Sequence, residues 1–201
     1  KAPIPNIYEE EYMKLDKITF VTGNKAKARE VERILNIPLE VSDIELDEIQ
    51  EIDLEKIALH KLNQAFELLK SPVIIDDVSV EIDAWNSFPG PLIKWLLKSG
   101  KEGDASTLLK MLKGEKNRGA TARLAIGFHD GKKPHIFYGE VRGVIGKEIR
   151  GENGFGWDPV FIPEGKIQSF AEMPEKEKDA ISHRGRALQK FSDFLKSNYD
   201  I

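Results

Sequence analysis

Apolar residues recur along this chain at two spacings, and the spacing changes from segment to segment. Ile18 to Thr22 is a short run rich in β-branched residues and reads as a buried strand. Directly after it, Val31, Ile34 and Leu35 fall at i, i+3 and i+4, which predicts an amphipathic helix over 26–35. Leu54, Ile57, Ala58, Leu62, Ala65, Leu68 and Leu69 keep the helical period for longer, and the helix they predict runs into "PVIID", a short strand at 72–76. In "FPGPLIKWLL", Pro91 stands where the first turn of a helix accepts it, and Asp104 can cap another helix carrying Leu108, Leu109 and Leu112. Alternation then takes over. Ala120, Ala122, Leu124, Ile126 and Phe128 share one strand face, Phe137, Val141 and Ile145 share another, and "HDGKKP" between them suits a hairpin loop. The chain closes in a helix striped by Leu188, Phe191 and Leu195. Helices interleaved with strands in this way predict an α/β fold around a mixed sheet, not a bundle or a sandwich.

Composition narrows the setting. The 201 residues, 40% hydrophobic and 32% charged, suffice for one sizeable core or for two lobes that share one. Cysteine is absent, which excludes disulfides, thiolate nucleophiles and cysteine-ligated zinc, and fits a reducing compartment. No apolar stretch approaches the roughly 18 residues of a membrane span, and the opening "KAPIPNIYEEEYMKLDK" lacks an apolar signal core. The expectation is a cytoplasmic protein without a membrane partner. Residues 1–16 are acidic and Pro-containing and read as a mobile or loosely docked extension ahead of a single domain over 17–201. A net charge of −4 argues against a nucleic-acid partner, which calls for a broad basic face.

Four stretches carry candidate chemistry. In "FVTGNKAKAREVERIL" a strand ends in Thr22-Gly23-Asn24 and a helix starts at once. First-turn N–H groups lack intrahelical partners and the helix dipole is positive there, so Thr22, Asn24, Lys25 and Lys27 suit an anion such as phosphate; the plainer alternative is a turn before a solvated basic helix. The segment matches neither the P-loop nor the dinucleotide glycine pattern. In "IIDDVSVEID" the adjacent Asp76 and Asp77 follow an apolar strand, where a carboxylate can hold Mg²⁺ or take a proton from water, or merely cap a turn. Alternation sends the two to opposite faces, so at most one aims into a given cleft. Glu48 in "DEIQE" is a further candidate metal ligand. In "GENGFGWDPVFIPEG", Phe155 and Trp157 sit on a glycine-jointed loop and can stack a base, with Asp158 reaching a base edge or fixing a neighbouring Arg; aromatic core at a turn is the alternative. Finally, "EMPEKEKDAISHRGRAL" brings Lys178, Ser182, His183 and Arg184, with Ser182 placed to cap the last helix.

Taken together, "FVTGNKAK", "DEIQE", "PVIIDD", "FPGPLIKW", "GFGWDPVFIP" and "FAEMPEKEKDAISHRGRAL" resemble, in order over residues 17 to 197, the inosine triphosphate pyrophosphatase (Ham1-like) family. The resemblance implies an elongated two-lobed α/β fold around a mixed, twisted sheet with a nucleotide cleft between the lobes. It also implies a homodimer, Mg²⁺ as cofactor, and hydrolysis of inosine, deoxyinosine and xanthosine triphosphates at the α–β phosphoanhydride. By position, Thr22, Asn24, Lys27 and Lys94 resemble the triphosphate cradle. Glu48, with Glu51 as its neighbouring alternative, resembles the metal-binding acid. Asp77, beside Asp76, resembles the acid that binds metal or activates water. Phe155, Trp157 and Asp158 are similar to the base-binding loop, and Lys178, Ser182, His183 and Arg184 to the segment that closes over base and phosphates. Arg184, or a backbone N–H near it, would donate to the C6 carbonyl of the base. There is one departure: the family's Ser or Thr after the acidic pair is Val78 here, with Ser79 one place later. A catalytically inactive nucleotide-binding protein and a Maf-like pyrophosphatase of other base preference are the alternatives.

Overall fold

A computed structural model describes residues 13–15, 17–98 and 105–200. In chain order the elements are β1 (Met13–Lys14), β2 (Thr19–Val21), α1 (Lys25–Leu35), β3 (Glu40–Ser42), α2 (Leu54–Leu69), β4 (Val73–Ile82) and β5 (Pro89–Gly90). There follow α3 (Ile93–Lys98), α4 (Ser106–Met111), β6 (Gly119–His129), β7 (Pro134–Ile145), β8 (Phe161–Pro163), α5 (Glu175–Ile181), α6 (His183–Asn198) and β9 (Tyr199–Asp200). The expected cap at Asp104 and most of the 1–16 extension lie outside the described residues.

The main sheet has seven strands among the described residues, in the order β3-β2-β4-β6-β7-β8, with β5 paired to β4. β2 runs parallel to β3 and β4, whereas β4, β6, β7 and β8 pair antiparallel, so the sheet is mixed as the alternation of elements predicts. β4 is longer than the strand expected at 72–76. Its ten residues pair one for one with β6, from Val73↔His129 to Ile82↔Ala120, and this ladder carries the strand through the Asp-Asp pair that the apolar pattern reads as its end. β3, β5 and β8 were not legible in the pattern because two or three residues hold no measurable period.

The helices start close to where the sequence puts them. Asn24 caps α1 by accepting from Ala26 and Lys27 N–H groups at 2.9 and 3.2 Å, and Ser182 caps α6 by accepting from Gly185 N–H at 3.0 Å. β1 pairs in parallel with β9, Met13 opposite Tyr199, which ties the start of the described chain to its end. Among the described residues no helix is long and apolar enough to cross a membrane.

Buried side chains form three clusters. One, around Ile74, Phe128, Val31 and Phe191, lies between the sheet and α1 with α6; a second, around Ile75, Ala58 and Leu62, lies under α2. The third, around Val80, Ile82, Leu108, Phe161 and Phe170, occupies the other half of the long strands. Val78 packs against both the first and the third, so β4 passes from one lobe's core to the other's at the residues that carry the acids.

Candidate active site

β4 presents its side chains alternately, and this decides the surroundings of the two aspartates. Ile74 and Val80 flank Asp76 and belong to clusters on one face, whereas Ile75 belongs to the α2 side that Asp77 shares. Asp76 is buried and fully engaged: its Oδ1 accepts from Lys27 Nζ at 2.8 Å, and its Oδ2 accepts from Arg184 Nη2 at 2.9 Å. Arg184 Nη1 donates to Glu30 Oε2 at 2.7 Å, and Lys178 Nζ lies 3.2 Å from Glu30 Oε1 and 2.8 Å from Asp158 Oδ2. A chain of buried acids and cations therefore links α1, β4, α5, α6 and the loop before Asp158. Burial pushes the Asp76 carboxyl up, but Lys27 and Arg184 more than offset it and hold it well below the usual carboxylate range. Glu30 follows the same pattern, raised by burial and brought below its ordinary value by Arg184 and Lys178. In Asp158 burial wins over Lys178, and the carboxyl is raised.

Close approach makes this network possible. A Cβ on Gly139 of β7 would stand 2.0 Å from the His183 carbonyl oxygen and 2.5 Å from Ala187 N, so only glycine lets the start of α6 lie on the sheet and deliver Arg184 to Asp76. Gly154 has φ +75°, and a Cβ there would stand 2.2 Å from Asp158 Oδ2, which instead accepts from Phe155 N–H at 2.8 Å.

The opposite face of β4 is sparser. Lys61 Nζ of α2 donates to Asp77 Oδ1 at 2.9 Å and lies 3.4 Å from Glu48 Oε1; Lys94 Nζ of α3 donates to that Glu48 oxygen at 2.6 Å. Asp77 Oδ2 is buried with no hydrogen-bond partner. Burial raises the Asp77 carboxyl, and Lys61 and Lys27 only partly counter it. Glu48 is raised by burial but drawn below its ordinary value by Lys94 and Lys61. Glu51 is elsewhere occupied, accepting from Ile52 and Asp53 N–H groups at the start of α2, so Glu48 is the acid brought to Asp77. Among the described residues no group of three or more metal-ligating side chains exists. Mg²⁺ needs none, because it takes one or two carboxylates and completes its shell with water and substrate phosphates. Asp77 Oδ1 and Glu48 Oε1, which share Lys61 Nζ at 2.9 and 3.4 Å, are carboxylate oxygens of the kind that demand calls for.

Several sequence expectations require correction. Trp157 is no base platform: it is 6% exposed and packs edge-on to Phe161, with ring centroids 5.2 Å apart, inside the third cluster. His183 is buried against Trp157 at 5.0 Å, its imidazole held neutral by burial and by Arg184 and Lys178, and its Nδ1 has no hydrogen-bond partner. Arg184 spends its guanidinium on Asp76 and Glu30 and cannot read a base with it. Asp158 fixes Lys178 and the Phe155 backbone and does not reach outward to a base edge. Asp76, with both oxygens paired, cannot act as a base. At the Thr-Gly-Asn turn, Asn24 already occupies two of the first-turn N–H groups, Thr22 Oγ1 accepts from Asn24 N–H at 3.1 Å, and Lys27 turns to Asp76. The unbroken β4–β6 register puts Ser79 on the Asp77 face, opposite Val78, where its hydroxyl donates to Glu81 Oε1 at 3.4 Å.

Phe155 keeps the exposure a platform needs, half-buried with Lys178 Nζ 5.2 Å and Arg184 Cζ 5.5 Å from its ring centroid. It lines a cavity of about 220 Å³ with Ala26, Arg29, Glu30, Met173 and Lys178. A larger hollow of about 750 Å³ lies at the far end of β6 and β7, where Arg142 is paired to Asp83 and Arg118 donates to main-chain carbonyls; it contains none of the candidate residues.

Glu30 and Lys61 escaped the sequence reading, though each leaves a trace. Lys61 sits on the buried stripe of α2, one residue before Leu62 and three after Ala58, where a lysine without a task is disfavoured. Glu30 adjoins Val31 and lies one turn beyond Lys27 and Ala26.

The Ham1 family model matches residues 18–194. A dITP/XTP pyrophosphatase of Methanopyrus kandleri is 42% identical over 187 residues, covering 90% of this chain and 97% of that one. An inosine triphosphate pyrophosphatase of Candida glabrata is 40% identical over 190 residues, covering 89% and 97%. The solved structure of a HAM1 protein from Coxiella burnetii superposes with a TM-score of 0.77 at 28% identity over 90% of this chain and 98% of that one. The chain belongs to the Ham1 family.

Proposed function

We propose that this protein hydrolyses inosine, deoxyinosine and xanthosine triphosphates to the monophosphate and pyrophosphate. The observation that carries the reading is the asymmetric acid pair on β4: one aspartate sealed in a buried ion network, the next left with an unpaired oxygen among lysines. Relatives at about 40% identity bearing the names dITP/XTP pyrophosphatase and inosine triphosphate pyrophosphatase support the substrate class. Membership of the Ham1 family displaces the Maf-like alternative.

In phosphoryl-type hydrolysis the protein mainly positions groups and balances charge. Lys61 and Lys94 are cations within reach of a triphosphate lying along Asp77 and Glu48, and the Thr22–Lys25 turn adds the positive end of α1. Asp77 Oδ2 orients the attacking water and accepts its proton; the oxygen of that water adds to the α-phosphorus, and the bond to the bridging oxygen of pyrophosphate breaks. Glu48 and Asp77 Oδ1 would hold Mg²⁺, which supplies neutralisation of phosphate charge. Phe155 stacks the base at the mouth of the smaller cavity. Base choice follows from edge polarity. Hypoxanthine and xanthine present a C6 carbonyl, and the backbone N–H groups in the Ser182–Arg184 segment at the start of α6 are the donors that would take the role in place of the Arg184 side chain. Adenine would set an amino group against donors, and such mismatches in polar sites discriminate by ~10⁴ or more.

Pyrophosphate release from inosine, xanthosine, guanosine and adenosine triphosphates, with and without Mg²⁺, tests the reading. Release from the inosine and xanthosine forms, dependent on Mg²⁺ and nearly absent with adenosine, is expected. Equal rates with adenosine triphosphate would overturn the base assignment, and tight binding without release would establish an inactive nucleotide-binding protein. We also place a homodimer contact on the exposed apolar residues Phe88, Leu92 and Trp95, which size-exclusion chromatography with light scattering checks.

A further inference from the structure

The acids assigned to Mg²⁺ already hold cations of the chain itself. Lys61 Nζ touches Asp77 Oδ1 at 2.9 Å and Glu48 Oε1 at 3.4 Å, and Lys94 Nζ touches the same Glu48 oxygen at 2.6 Å. Two carboxylates face two ammonium groups, so the cluster is neutral without any ion. A divalent ion that approached alone would meet both ammonium groups at contact distance and would leave them unpaired, Lys61 in a largely buried position. A metal arriving with a triphosphate encounters a different balance, because the phosphate oxygens offer each lysine a new anionic partner.

We propose that Lys61 and Lys94 are resident counter-cations that keep free divalent metal off Asp77 and Glu48, so that metal loads together with the triphosphate and not before it. The proposal rests on the functional reading above and concerns the order of loading. The exchange makes and breaks no covalent bond: Lys61 leaves Asp77 for phosphate, and the metal takes its place. The backbone needs no movement. Ala58, Leu62 and Ala65 fix α2 against the sheet, and only the Lys61 side chain has to swing. Lys94 stands on an exposed part of α3 with its side chain 48% exposed, so it yields more easily. Lys61 touches both acids and Lys94 only one, which makes Lys61 the main barrier.

The test is titration of Mn²⁺ alone, without nucleotide, followed by the electron-paramagnetic signal of the free ion, on the full chain and on Lys61→Met, Lys94→Met and Lys61→Arg. Removal of a fixed like charge at this range should tighten Mn²⁺ binding by ~10-fold in Lys61→Met and ~3-fold in Lys94→Met, while Lys61→Arg stays at the parent value. A non-hydrolysable inosine triphosphate analogue should tighten Mn²⁺ binding strongly in the parent and much less in Lys61→Met. A folded Lys61→Met whose affinity for Mn²⁺ alone is unchanged or weaker would overturn the proposal. Should that variant fail to fold, an unchanged Lys94→Met would overturn it equally. The two readings fail separately: a chain that hydrolyses inosine triphosphate but shows no gain loses only this inference, whereas absence of pyrophosphate release removes the functional reading.

Discussion

Asp76 and Asp77 are the same residue type at consecutive positions of one strand, yet they meet opposite environments. The Asp76 face is covered by α1 and α6, which supply Lys27 and Arg184, and both carboxylate oxygens are bonded. The Asp77 face has α2 and one close ammonium, and one oxygen remains over. Both carboxyls are buried and burial pushes both up; the cations at Asp76 reverse that push, and those at Asp77 do not. An acid becomes structural or reactive here according to how many cations its face of the strand delivers. Strand alternation, not composition, makes that assignment.

Substitution at the reactive face should have the largest effect. Asp77→Asn keeps the shape and loses the proton acceptor, so kcat should fall by ~10²- to 10⁴-fold with the melting temperature held or slightly raised. Near-parent turnover would break the comparison at its centre. Asp76→Asn should give the reverse profile. It leaves Arg184 and Lys27 without their common carboxylate in a buried setting, which typically costs about 3–5 kcal/mol. For a chain of this length that corresponds to a fall of roughly 10 °C in Tm. Thermal denaturation of the two variants side by side decides the matter, and equal melting points would erase the distinction.

The pH dependence sharpens the same contrast through its sign. Asp76 has a depressed carboxyl in the fold, so its contribution to stability is present above the unfolded value of about 3.9 and is lost as pH falls through the lower folded value. Asp77 has a raised carboxyl, so the folded chain binds the proton more tightly, and stability is lost as pH rises from about 3.9 through the raised folded value. The stability advantage of the parent over Asp76→Asn should therefore shrink on acidification. Its deficit relative to Asp77→Asn should shrink as well, over a higher pH interval. Urea denaturation from neutral pH down to about pH 3 measures both differences. A common interval for the two would show that the carboxyls are not separated as described.

The sequence made much of this legible, for reasons that can be stated residue by residue. Helices α1, α2 and α6 carry stripes long enough to read, and Ser182 announces the start of α6. β6 shows apolar residues at every second position from Ala120 to Phe128 and is buried on both faces from Leu124 to His129, whereas β7 alternates cleanly from Tyr138 to Ile145, with a polar hairpin between them. The acids at 76 and 77 and their opposite orientation also follow from alternation. What stayed hidden depends on contacts distant in sequence. That Arg184 turns inward is decided by Asp76, 108 residues earlier, and by Glu30, 154 earlier. Trp157 and Phe155 look equivalent on a glycine-jointed loop, and contacts with Phe161, Phe170 and His183, distant from the motif's own pattern, hold the indole in the core. Lys61 was masked by its own helix, whose apolar period draws attention to Leu62 beside it.

The smallest expected effect tests the edge between the two faces. Val78 follows the acids, points to the Asp76 side, and packs against the clusters of both lobes, so its methyl groups help to join the two cores. The family resemblance leads one to expect a hydroxyl at this position, and its absence motivates the inactive reading. The geometry argues that its loss is tolerable, because a hydroxyl at 78 would lie on the face where Asp76 is already saturated and away from the unpaired Asp77 oxygen. Val78→Thr keeps the branched shape and adds only the hydroxyl. Its burial without a sure partner should cost about 1 kcal/mol, and kcat with inosine triphosphate should change by less than ~3-fold. Steady-state pyrophosphate release and thermal denaturation of this one variant measure both. A rise in kcat of ~10-fold or more, equivalent to about 1.4 kcal/mol of barrier, would place the hydroxyl in the chemistry and dissolve the separation of the two faces at residue 78.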